Sequence, residues 1–121
     1  MPLALLRIDP AKSIGVVGTK GRPRFRDAVN RACASAGIKA YAPEDFPGPI
    51  AAAIEEQTRG RGDNWPFEEA GIPALFYSSS ESDDYHRPTD TMEKLDGAIL
   101  AARAKAIAAT VIFLSREPLR D

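Results

Sequence analysis

The chain reads as an α/β domain, a partial mixed sheet of about four strands flanked by helices. Two observations predict it. Short apolar runs bounded by turn formers alternate with longer stretches whose apolar residues recur every three or four positions. The resulting order, strand, strand, helix, strand, helix, strand, helix, is one that packs into layers of helix on sheet. With 121 residues, 44% of them hydrophobic, the chain suffices for one core, so residues 1–121 are taken as a single domain or part of one.

Residues 3–8 and 14–18 are the first two apolar runs, and the Asp-Pro-Ala-Lys-Ser turn between them suggests a hairpin. From Pro23 to Ala36 the apolar residues Phe25, Ala28, Val29, Ala32, Cys33 and Ala36 mark one helix face, and Gly37 supplies a stop. Cys33 falls on the buried stripe and reads as core. Residues 38–42 suit a third strand. Pro43, Pro47, Gly48 and Pro49 then predict a long acidic connection reaching about Gly62. Asp63 or Asn64 can cap a short helix that carries Pro66 in its first turn and ends at Gly71. Residues 72–77 form the fourth strand. A long helix follows from Glu93 to about Glu117, with Asp90 and Glu93 in capping-box relation or Thr91 as the cap. Leu95, Ile99, Leu100, Ile107, Val111 and Leu114 define its expected buried face.

Composition narrows the function classes. Cys33 is the single cysteine, so there is no intrachain disulfide and no thiolate cluster for a structural zinc; a metal would need His and carboxylates. The net charge of −1 hides an asymmetry. Residues 1–40 hold eight Lys/Arg against two Asp, and residues 41–96 hold thirteen Asp/Glu against four Lys/Arg, which makes the acidic middle the place to look for a site. The apolar stretch 106–115 follows Arg103 and Lys105, so no membrane span is expected, and the amino terminus lacks the pattern of a secretory signal. The chain as given reads as cytoplasmic. Lys20-Gly21-Arg22-Pro23-Arg24 has the look of a minor-groove hook, but it runs directly into a helical pattern and the whole chain is mildly acidic. Nucleic acid is not the expected partner.

Two ordered blocks carry the chemistry. Residues 62–76 run Gly-Asp-Asn-Trp-Pro-Phe-Glu-Glu-Ala-Gly-Ile-Pro-Ala-Leu-Phe, and residues 84–96 run Asp-Tyr-His-Arg-Pro-Thr-Asp-Thr-Met-Glu-Lys-Leu-Asp. A strand ending in a polar loop would deliver His86, the only histidine, to the carboxyl edge of the sheet, where open α/β folds build their sites. These blocks resemble the two-zinc aminopeptidase family, which includes the bacterial leucyl aminopeptidases and the glutaminyl cyclases. The resemblance implies the carboxy-terminal half of a three-layer zinc-exopeptidase sandwich. It implies that His86 ligates one of two zincs and that Tyr85 stabilises the oxyanion of a tetrahedral intermediate. Asp90 would orient the turn. Asp63 and Asn64 stand where the family commonly has Asp-His, with Asn64 replacing the histidine, and would support the site floor. Trp65 and Phe67 are expected to pack.

The family's mechanism uses two His and three carboxylates on its zincs and a glutamate as general base. The first His, the bridging Asp, the base and its neighbouring ligand Glu have no counterpart here. Asp9 has two readings. It is the further Asp ligand at a strand end, although Pro10 follows where the family usually has Met; or it belongs to the hairpin turn, and the metal position falls nearer Leu5, which cannot ligate. Glu55 and Glu56 come too late in the chain to be the family's paired glutamates. The expectation is therefore a segment of a zinc-dependent aminopeptidase, inactive alone and cleaving a peptide substrate only when complemented. The other reading is a noncatalytic binding or assembly module on the same fold. Either predicts an uncovered sheet edge, and hence a homo-oligomer or a partner that supplies the missing half.

Overall fold

The computed structural model describes residues 8–79, 87–89, 91–94 and 96–116. In chain order the elements are β1 (Ser13–Val17), α1 (Pro23–Ser35), β2 (Lys39–Tyr41), α2 (Gly48–Thr58), α3 (Trp65–Glu69), β3 (Phe76–Ser78) and α4 (Gly97–Arg116), with short 3₁₀ turns at Pro10–Lys12, Pro43–Asp45 and Met92–Lys94. The sheet is mixed, as expected. Its order is β2-β1-β3, with β1 parallel to β2 and antiparallel to β3. The expected strand at 3–8, and with it the hairpin, lies outside the described residues except for Ile8.

The register places Ile14 beside Ala40, and Val17 beside Phe76. Ile14 and Val16 alternate onto one face, where Val29 and Cys33 of α1, Ala40 of β2 and Ala106 of α4 close a dry core. The contact between α1 and α4 is the most extensive between any two elements. It depends on small side chains: Ala28, Ala32 and Ala106 are fully buried and let the helices approach closely. Cys33 is buried as predicted, and burial pushes its thiol above the ordinary range.

Four sequence expectations change. Where a long connection was expected, α2 forms. Pro49 occupies its first turn, the one place in a helix where a missing N–H costs nothing, and the Ala51, Ala52, Ala53, Ile54, Glu55 run supplies good helix formers. The last helix begins at Gly97 rather than Glu93, because the Asp96 carboxylate accepts from the N–H groups of Ala98 and Ile99. Its buried face is also different. Ala106 and Thr110 are buried and Ala102 packs on the core, whereas Leu100, Ile107 and Val111 face outward. Finally, α4 is long and apolar enough, by length and composition, to cross a membrane. Arg103, expected to interrupt such a run, instead turns back to donate to the carbonyls of Ser13 and Pro10 at 3.1 and 2.7 Å.

Candidate functional site

Because β3 runs against β1 and β2, the sheet has no single carboxyl edge. The end of β3 that leads toward residue 86 lies at the start of β1, beside Ser13 and the Asp9 turn. The antiparallel pairing of β3 moves its exit to the opposite rim.

At that rim Asp9 caps the 3₁₀ turn: its Oδ1 accepts from Ala11 N at 2.9 Å, its carbonyl accepts from Lys12 N at 3.1 Å, and its side chain is exposed. The Ser13 hydroxyl beside it is buried, with no hydrogen-bond partner among the described residues. Tyr85, His86 and Asp90 lie outside the described residues.

The other rim, where β1 ends, holds a cleft of about 270 Å³ lined by residues of the β1–α1 turn, α2 and α3. Asn64 and Trp65 form part of its wall. A charge pair forms its floor: Arg22 Nη1 and Nη2 donate to the two carboxylate oxygens of Glu68 at 2.9 and 3.1 Å. Those bonds hold Glu68 below the usual carboxylate range, with burial opposing, and the same pairing raises Arg22. Lys20 and Glu55 approach to 3.7 Å at the mouth. The hook-like run 20–24 is thus folded into the domain, with Pro23 opening α1.

Asn64, not Asp63, is the residue that precedes α3, and neither side chain caps it. Asp63 is exposed, because the backbone already turns helical at Asn64 and Trp65 N donates to the Gly62 carbonyl. Trp65 is half-buried as expected, but Phe67 is 54% exposed and packs little.

The structure therefore does not bring the described candidates together. Asp9 and the Asp63-Asn64 pair stand at opposite ends of β1, a strand roughly 15 Å long. Among the described residues no three His, Cys, Asp or Glu side chains converge as a metal-binding group. By this test the described donor set does not fit zinc. Asp9 already spends one oxygen on its turn. Sequence reasoning missed the Arg22–Glu68 floor, since a pair 46 positions apart leaves no local signal.

Comparison with known proteins gives one match. The family model described as Peptidase family M28 matches residues 16–111, most of the chain, and takes in both blocks identified above. No curated protein and no solved structure matches the chain.

Proposed function

Since the chain belongs to peptidase family M28, we propose that it is a segment of a zinc-dependent aminopeptidase, one that hydrolyses the first peptide bond of a peptide with a free amino terminus only when further ligands are supplied. The observation that carries this reading is the extent of the match. It spans residues 16–111, so it includes Tyr85, His86 and Asp90 and leaves Asp9 outside. In this reading His86 is the ligand that the chain brings to zinc, and Tyr85 stabilises developing negative charge. The other ligands and the general base come from elsewhere in this reading, because the family's first His, bridging Asp and paired glutamates have no counterpart in the sequence.

Zinc titration of the purified chain, followed by calorimetry and by hydrolysis of an aminoacyl nitroanilide, tests it. The expected result is weak binding that disappears in His86→Ala, with no turnover by the chain alone. Two tightly held zincs with turnover would overturn the need for complementation. Zinc binding unaffected by His86→Ala, or none at all, would overturn the peptidase reading and leave a binding module.

A further inference from the structure

The cleft between the β1–α1 turn, α2 and α3 lies outside the carboxyl ends of the parallel strands β1 and β2, where open α/β sheets take their ligands. Asp9 and the exit of β3 toward residue 86 are at the other end of β1, so the cleft is separate from the proposed zinc site. Its floor is already satisfied: Arg22 spends N–H groups on both Glu68 oxygens and on the Gly18 carbonyl. Its mouth keeps both signs of charge available. Lys20 and Glu55 stand 3.7 Å apart, beyond hydrogen-bond length, with side chains 74% and 36% exposed. Arg59, which also lines the cleft, makes no ion pair or side-chain hydrogen bond among the described residues. The wall adds the half-buried Trp65 and Asn64, whose amide caps no helix.

We propose that this cleft binds a free α-amino acid with an apolar side chain, its carboxylate held by Lys20 and Arg59, its ammonium by Glu55 and its side chain against Trp65. The charges on the cleft select this class. A simple anion would face the Glu55 and Glu68 carboxylates, and a metal ion or organic cation would face Lys20, Arg22 and Arg59. An uncharged apolar ligand would cover the charged mouth and give it no partner. Size excludes larger molecules, since about 270 Å³ is below the roughly 300–1,000 Å³ of pockets that take drug-sized ligands. A small molecule with both charges close together on an apolar body remains. In an α-amino acid the ammonium and carboxylate hang from one carbon, each about 1.5 Å away, which suits opposite charges only 3.7 Å apart. A peptide separates its two ends by roughly 3.5 Å more for each added residue. Each end of the amino acid gains a charge-assisted bond, and the indole supplies an apolar face. Zinc has no part in this cleft, so the proposal and the peptidase reading can fail separately.

Trp65 is the only tryptophan, so its emission reports on the cleft. Titration of the whole chain with L-leucine, followed by fluorescence and by calorimetry, tests the proposal. The expected result is a saturable change in Trp65 emission with matching heat. N-acetyl-L-leucine, which lacks the ammonium, and L-leucinamide, which lacks the carboxylate, should each bind about 10-fold more weakly or worse. Glu55→Gln, at an exposed and loosely paired side chain, should stay folded by circular dichroism and lose the preference for leucine over its acetyl derivative. His86→Ala should bind leucine as the unaltered chain does. If Glu55→Gln loses its helical signal, the three compounds compared on the unaltered chain decide. No heat and no emission change up to about 10 mM leucine would overturn the proposal. So would either blocked compound binding as well as leucine, or heat without a change at Trp65. Binding lost in His86→Ala but kept in Glu55→Gln would also overturn it, and would place leucine at the peptidase site instead.

Discussion

Arg22 and Glu68 form a two-pronged ion pair that ties together segments far apart in the chain. Arg22 Nη1 also donates to the Gly18 carbonyl at 2.8 Å, and Glu68 Oε1 also accepts from Ala74 N at 3.3 Å. One pair thus joins the end of β1, the start of α1, α3 and the approach to β3. Replacing Glu68 by Gln removes the charge and leaves a guanidinium with a weaker acceptor. The expected cost is about 1–2 kcal/mol, or a fall of roughly 5 °C in Tm by thermal circular dichroism. Lys20→Ala, at the exposed 3.7 Å pair with Glu55, should change stability by less than about 0.5 kcal/mol. Equal effects from the two substitutions would contradict the structure.

Acid should weaken the fold through the same pair and through Asp45. Burial pushes the Asp45 carboxyl up, but hydrogen bonds from Arg26, at 3.0 and 2.7 Å, and from Ala42 N together hold it below its ordinary value. Glu68 is held low as well. A carboxylate depressed on folding binds its proton more readily in the unfolded chain. Its stabilisation is therefore complete above the unfolded values of 4.5 for Glu68 and 3.8 for Asp45, and is lost as pH falls through the folded ones. Urea midpoints should be level from neutrality to about pH 5 and then decline. The decline should be shallower in Glu68→Gln.

Tyr77 offers a spectroscopic test of the core. Burial pushes its phenol up to about 12, with the Thr110 hydrogen bond opposing. Ultraviolet titration of the folded chain should therefore show one of the three tyrosines ionising near pH 12. Because the raised group favours the neutral form, stability should hold below the ordinary value of 10.0 and fall above it. In Tyr77→Phe the late titration should vanish. Thr110 would keep its 2.8 Å bond to the Ala106 carbonyl, so the loss should be only about 1 kcal/mol.

Gly18 is required on two grounds. Its φ of +119° lies in the region that side chains avoid, and a Cβ there would overlap the Ala74 carbonyl. Gly18→Ala should cost about 3 kcal/mol or more and loosen the β1–β3 pairing. Gly37 has a positive φ of +75° but open space around it, so Gly37→Ala should cost only about 1 kcal/mol. Chemical denaturation of the two variants should separate conformational strain from steric overlap.

Helix α1 was legible almost to the residue, because its stripe, its opening Pro23 and its closing Gly37 are all local signals. For α2 the prolines around Gly48 read as a break, although Pro49 in a first turn favours a helix. The motif blocks pointed to the family that the match reports. The cleft floor was not legible, since Arg22 and Glu68 carry no mark of their pairing until the chain folds.

The sequence by itself determined the α/β character, the course of α1 and the family, because these rest on periodicity, capping and ordered motifs that act within a few dozen residues. Only the tertiary structure decided which rim of the sheet β3 leads to and which face of α4 is buried. The first depends on the antiparallel register of Val17 with Phe76. The second depends on close approach between α1 and α4, which only Ala102, Ala106 and Thr110 permit, so the larger Leu100, Ile107 and Val111 are left outside. Hydrophobicity ranked those side chains in the opposite order; the space available between the two helices reversed it.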